Sequence, residues 1–276
     1  MIDRGSLRIV DYYQWAGCGR LAAKQLSCNQ STVSRKWAES RWLFAAASIP
    51  EDLLYVDLER HVHQCWRFAK GRDLRVHMYR WVNRLLKEGL PVSWTSNPLE
   101  MSTTVAPALQ LLGDRVIDAL CAPYPMIANL DRDRFALIPL YSTGLVLLTR
   151  SDCVLANERS LSLRDVEVAT CPGALSFVPA EVGSCSAKVD GQIFSSIGEV
   201  DVKRDYRYWG ISLSSFNGLK VLDYALSAPY AEYLVVLKEW EEHAQVLRLL
   251  HAIGDGLAGQ SSYFCDQKQL SVHCWN

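Results

Sequence analysis

The sequence predicts an α/β protein, with a short, basic, all-helical end followed by a longer body of alternating strands and helices. Three observations predict it. Apolar residues recur at helical spacing through the first 70 residues. From Leu74 the pattern changes to β-α-β-α-β, which calls for a parallel or mixed sheet. The chain has 276 residues, 49% apolar and 21% charged, enough for one large domain or two ordinary ones. That composition excludes a mainly disordered chain.

Other classes fall away by the same arithmetic. The apolar stretch Gly144–Leu148, among the longest, is far short of the roughly 20 residues that span a bilayer. The opening MIDRGSLRIVDYYQW has neither an apolar core nor a cleavage site, so no membrane partner and a cytoplasmic location are expected. Nine scattered cysteines, with no C-x-x-C, are expected to be mostly buried small hydrophobes. No G-x-S-x-G, P-loop or G-x-G-x-x-G occurs, so neither a catalytic residue nor a cofactor is expected. His61, His63 and Cys65 form H-x-H-x-C within a helix. His63 points away from the other two, so three metal ligands cannot converge.

The net charge of −1 hides an asymmetry. Residues 1–48 hold seven basic groups (Arg4, Arg8, Arg20, Lys24, Arg35, Lys36, Arg41) against Asp3, Asp11 and Glu39. That end carries +4 and the remainder −5. A basic end on a mildly acidic body favours a polyanionic partner at one end only.

Taken in order, Ser6–Trp15 reads as a helix, broken by Gly17-Cys18-Gly19. RLAAKQL is a second, short helix, and Ser27-Cys28-Asn29 a turn. Asn29 can cap a third helix from Gln30 to about Leu43, with Val33 and Trp37 inward. Glu51–Lys70 is helical, with Leu54, Leu58, Val62, Cys65 or Trp66, and Ala69 on one side. Strands are then expected at 74–79, 90–94, 116–121, 135–140, 144–149 and 231–237. Helices are expected at 80–89, 99–113 and 238–253, and a short one at 161–168. Within 170–225, VEVAT, GQIFSSI and GISLSSF fit strands and NGLKVLDYAL a helix. Residues 257–276 form a polar tail without a pattern.

The basic end carries the most specific pattern. Ala23, Leu26, Val33 and Trp37 stand at the inward positions of a helix-turn-helix, with Ala23 small enough for close approach of the second and third helices. The turn commonly opens on glycine, which accepts positive φ at a helix end, but here it is Ser27. The outward face of the third helix is Gln30, Ser31, Thr32, Ser34, Arg35 and Lys36. Glutamine can pair bidentately with adenine and arginine with guanine, while hydroxyls and the helix N-terminus can hold phosphate. Double-stranded DNA is the polyanion these chemistries fit.

The run LAAKQLSCNQSTVSRKWAESRWLF resembles the N-terminal domain of LysR-type transcriptional regulators. Ala22-Ala23, Leu26, Gln30-Ser31, Val33-Ser34-Arg35 and Leu43-Phe44 match that family's pattern in order and spacing. The helix at 51–70 stands where the family has its dimerising linker helix. VIDAL (116–120) and FALIPLYSTGLVLLTRSD resemble strands of its effector domain, and the likeness spans about residues 5–253. One departure is plain: only AAASIPEDLLYV lies between Phe44 and the linker helix, so the family's β-wing is missing or much reduced.

The resemblance implies a (winged) helix-turn-helix over residues 1–48, a linker helix over 49–72, and a two-lobed, periplasmic-binding-protein-like α/β effector domain over 73–276. It further implies a homodimer, often assembling to a tetramer, and a small-molecule effector in the interlobe cleft. In open α/β sheets ligands sit beyond the carboxyl ends of the strands. Tyr79 and Arg80 are expected after the first strand, Thr95 and Ser96 after the second, and Tyr124 after the third. Arg80 would favour an anionic ligand, since a guanidinium grips a carboxylate bidentately. The competing class is a stand-alone α/β ligand-binding or enzyme domain whose N-terminal helices only mediate oligomerisation.

Overall fold

The computed structural model describes residues 4–45, 50–79, 82, 86, 89–99, 105–150, 208–211, 219–221, 228–258 and 271–272. Four helices come first: α1 (Arg4–Ala16), α2 (Gly19–Leu26), α3 (Gln30–Ala45) and α4 (Pro50–Lys70). Only residues 46–49 separate α3 from α4, and four residues cannot supply the two strands of a wing. Strand β1 (Leu74–Tyr79) opens the body, followed by β2 (Trp94–Leu99), α5 (Val105–Gly113), β3 (Ala119–Pro123) and α6 (Tyr124–Ile127). Then come β4 (Phe135–Arg150), β5 (Tyr208–Ile211), β6 (Leu219–Val221), β7 (Ala228–Leu237), a 3₁₀ turn (Lys238–Trp240), α7 (Ala244–Ala258) and β8 (Ser271–Val272).

These strands form one sheet in the order β2-β1-β3-β7-β4-β5, with β6 and β8 also paired to β4. β1 is parallel to β2 and β3, and every other pairing is antiparallel. A long crossover is required between parallel neighbours, and α5 with its flanking chain supplies the second of them. The core is continuous: Tyr12, Trp15, Ala22, Ala23 and Val33 of the helical end belong to the same buried cluster as Leu74, Val76, Leu120, Val235 and Leu249.

Several expectations are corrected here. β2 starts at Trp94 instead of ending there, so Thr95 and Ser96 lie within the strand. Leu99 belongs to β2, and the described helix that follows begins at Val105. The two strands expected at 135–149 are one, β4, kept continuous by pairing along β7 with a bulge between Pro139 and Tyr141. Leu219–Val221 is strand, not helix, because it pairs with Leu148–Arg150 of β4. The final helix is interrupted after Trp240. Trp240 stacks on Phe68 at 4.1 Å, and His243 restarts the helix by accepting the Gln245 N–H on Nδ1 at 3.2 Å. The expected helix at 161–168 and the strands VEVAT and GQIFSSI lie outside the described residues, as does most of the expected helix at 80–89, though Val82 and Leu86 are buried.

The faces of α4 are the reverse of an ordinary amphipathic helix. Arg60, Gln64 and Arg67 are buried along with Val56 and Phe68, while Leu58 and Val62 are 58% and 62% exposed. The inward charges are matched. Asp11 of α1 accepts from Arg60 Nε at 3.1 Å and from Arg75 Nη1 at 3.2 Å. Asp118 accepts from Arg67 Nη2 at 2.7 Å and Nε at 3.0 Å, from Gln64 Nε2 at 3.1 Å and from the Arg75 backbone N–H at 3.0 Å. Arg75 also donates to the Val116 carbonyl at 2.6 Å and lies over the Tyr12 ring, 4.6 Å from its centroid. Burial, and then the like charge of Arg67, push the Arg75 guanidinium below its usual range. A buried charge is tolerated when it is paired, and each of these cations has a carboxylate partner, although the Arg75 Nε itself has no acceptor.

Candidate nucleic-acid interface

The helical end builds a three-helix unit from the residues the sequence marks. Cys18 caps α2, its Sγ accepting the Leu21 N–H at 3.5 Å. α2 stops at Ser27, which takes the left-handed conformation at φ 52° and ψ 43°. The Cys28 N–H then reaches the Ala23 carbonyl at 3.0 Å, closing the helix end. Serine therefore holds the conformation that glycine commonly supplies, at a cost on the order of 1 kcal/mol. The Asn29 carbonyl accepts from the Thr32 and Val33 N–H groups at 3.0 and 3.3 Å, opening α3.

Packing is as the pattern requires. Ala22, Ala23 and Val33 are buried, and Leu26 packs against the core at its edge. Trp37 is half-buried and stacks on Tyr13 of α1 with centroids 4.6 Å apart. This leaves Gln30, Ser31, Ser34 and Arg35 exposed and Thr32 and Lys36 half-buried, all on the first two turns of α3. The two cations share one carboxylate: Arg35 Nε lies 3.9 Å from Glu39 and Lys36 Nζ 3.3 Å from it. These are exposed pairs in water, worth well under about 1 kcal/mol, so either cation can leave for a stronger anion. Of the other basic residues in this end, Arg20 and Lys24 are exposed on α2, whereas Arg8 is held by Asp73 at 2.9 Å.

The expected effector residues are not brought together as a set. Tyr79 is the last residue of β1, and nothing is described of its side chain. Arg80 lies outside the described residues. Thr95 and Ser96 are half-buried inside β2, opposite Arg75 and Val76. Tyr124 follows β3 and is 42% exposed, its ring 5.4 Å from that of Tyr233 on β7. Two groups escaped notice in the sequence. Glu232, next to Tyr233, is fully buried and accepts the Tyr141 hydroxyl, joining β7 to β4. His77 on β1 and Asn97 on β2 are opposite each other in register, and both hold Trp15 of α1. Neither could be found by spacing, because their partners lie 62 to 91 residues away.

His61 and Cys65 lie one turn apart on α4, with Sγ 3.5 Å from Nε2, while His63 turns to Glu59 at 3.6 Å. Among the described residues no helix is long and apolar enough to cross a membrane.

No family model matches the sequence, and no curated protein matches it either. Solved structures do. The probable transcriptional regulator PA0477 from Pseudomonas aeruginosa matches with a TM-score of 0.53 at 11% identity, covering 91% of this chain and 96% of that one. A full-length OxyR variant from Pseudomonas aeruginosa matches with a TM-score of 0.52 at 13% identity, covering 92% of this chain and 98% of that one. The chain has the fold of these two structures, a helix-turn-helix end joined to an α/β body.

Proposed function

We propose that this chain is a sequence-specific, DNA-binding transcriptional regulator of the LysR kind, responding to a small-molecule effector. The observation that carries the reading is the outer face of α3: Gln30, Ser31, Thr32, Ser34, Arg35 and Lys36 at the start of a helix whose back is packed on α2. A recognition helix presents its N-terminal turns to base edges in the major groove. With no room for a wing, backbone contacts fall to α2 (Arg20 and Lys24) and to the hydroxyls of Ser31 and Ser34. Mobility shift of sheared genomic DNA at varied salt tests the reading. Retarded bands whose affinity falls steeply with salt support it, and no retardation at low salt removes it.

Within that reading Arg35 and Gln30 meet bases. Arg35→Ala is expected to cost about 1–3 kcal/mol of specific binding and to relax sequence preference, with the fold unchanged. Affinity for a selected site is the measurement, and an unchanged value in a folded variant contradicts the assignment.

The chain pairs with a second copy through α4. Leu58 and Val62 face outward one turn apart, while the inward face is filled by this chain's own residues. An apolar stripe left open on a long helix is an association surface. The double substitution Leu58→Asp and Val62→Asp is expected to give monomers that bind DNA weakly, since half-sites gain from a linked pair of heads. Light scattering reads the mass, and a wild-type monomer at tens of micromolar excludes the dimer.

The effector reading keeps Tyr79, Arg80, Thr95, Ser96 and Tyr124 as its candidates: Tyr79 ends β1, Arg80 and Tyr124 follow β1 and β3, and Thr95 and Ser96 lie in the first half of β2. An anionic ligand such as a carboxylate suits Arg80. A thermal-shift screen of organic acids on the full chain, repeated with Arg80→Ala and Ser96→Ala, is the test. Shifts that survive both substitutions place the site elsewhere.

A further inference from the structure

Helix α1 does more than complete the helix-turn-helix, for it lies along the sheet of the body. Arg8, Asp11 and Trp15 recur at helical spacing and so share a face. Arg75 and His77 alternate along β1 and so share a face, and Asp73 stands just before the strand. The two rows meet in order: Arg8 with Asp73 at 2.9 Å, Asp11 with Arg75 at 3.2 Å, and the Trp15 indole N–H donating to His77 Nδ1 at 2.9 Å. A fourth contact closes the end, where Asn97 Nδ2 of β2 donates to the Trp15 carbonyl at 3.0 Å. Asp11 is also the counter-ion of Arg60, so one carboxylate ties α1, α4 and β1 together.

We infer that the DNA-reading head is seated rigidly on the first lobe, with α1 as the seat, and does not swivel on the linker helix as a separate module. The Arg8–Asp73 pair is half-exposed, but the centre of the seat is buried. Asp11, Arg75 and Trp15 are at most 3% exposed, and His77 is 8% exposed. α2 and α3 pack on α1 through Tyr12, Trp15, Ala22, Ala23 and Val33, in one core with the strands. The direction of α3 is therefore set by β1.

The seat has a functional consequence, which rests on the effector reading above. Trp15 sits against His77 and Asn97, two residues from the carboxyl ends of β1 and β2. Tyr79, one of the proposed effector residues, is the last residue of β1, two beyond His77. A ligand held at those strand ends would meet the last turn of α1, and would act on α3 within one chain. A swivelling head would instead take its signal only through α4 and the partner copy.

Pulsed electron–electron resonance on the full chain tests the seat without DNA or effector. Spin labels on an unnatural amino acid at Lys24 of α2 and Arg248 of α7, both exposed, report the distance from head to lobe. Labelled chains are diluted into unlabelled ones so that only distances within a chain are read. A single narrow distribution is expected in the wild type, broadened at least twofold in Trp15→Phe combined with Asn97→Ala. A broad or bimodal wild-type distribution overturns the proposal. So does a distribution that stays narrow in the double variant while hydrogen exchange in α1 also stays unchanged. If the double variant fails to fold, the wild-type width alone decides. Failure of DNA binding leaves this readout untouched, so the two readings fall separately.

Discussion

Asp11→Ala is expected to lower the unfolding free energy by about 3–5 kcal/mol, the range for breaking a buried ion pair from one side. Asp11 is 1% exposed, and its partners Arg60 and Arg75 have side chains only 5% and 2% exposed. Removing the carboxylate leaves two buried guanidinium groups without the anion that pairs with both. Neither can escape by losing its proton, because an arginine stays charged in proteins. Asp11→Asn keeps an acceptor but loses the charge, and is expected to fall between wild type and alanine. The contrast is Arg8→Ala. Arg8 is on the same helix as Asp11, but its pair with Asp73 is half-exposed, and breaking it should cost less than about 1 kcal/mol. Urea denaturation at fixed protein concentration, followed by circular dichroism, measures all three. If Asp11→Ala and Arg8→Ala cost the same, the cluster is not the anchor described here.

The second large effect is a loss of stability in mild acid carried by His77. Burial pushes its imidazole down to about 4, from an ordinary value near 6.5. The neutral ring is the form that accepts the Trp15 N–H on Nδ1. Below pH 6.5 the unfolded chain takes up a proton that the folded chain refuses until about pH 4. Stability is therefore full above pH 6.5 and falls through that window, by about 3 kcal/mol at about 1.4 kcal/mol per unit. His77→Gln keeps a hydrogen-bond acceptor and cannot titrate, so its profile should lack this loss. Burial lowers His243 as well, in the same direction, but wild type and variant share it. The difference between their unfolding free energies at pH 7.5, 6, 5 and 4 isolates His77. Parallel profiles across the window would contradict the assignment.

The first four helices and β1 were legible nearly to the residue because their signals are local. Apolar spacing, the glycines at 17 and 19, and the turn Ser27-Cys28-Asn29 all act within a few residues. The six outward residues of α3 follow from helical period once Val33 and Trp37 are placed inward. Strand ends were less legible. β2 begins four residues later than its composition suggests, since its register is set by β1, and the effector candidates Thr95 and Ser96 moved with it. β4 runs through an apparent turn at Tyr141–Thr143 because β7 pairs along its first half and β5 and β6 along its second.

Helix α4 marks the limit most sharply. By itself the sequence determined that residues 51–70 form a helix with a Leu58–Val62 stripe, but it could not say whether that stripe faces this chain or another. The tertiary structure turned the stripe away from this chain, by burying Arg60, Gln64 and Arg67 and leaving Leu58 and Val62 exposed. Such an inversion is stable only because Asp11, 49 residues before Arg60, and Asp118, 51 residues after Arg67, arrive at the same place. Helical period is a property of neighbours in the chain, so the sequence carries it openly. The partner of a buried charge is fixed by the sheet that brings distant segments together, and local spacing holds no trace of it.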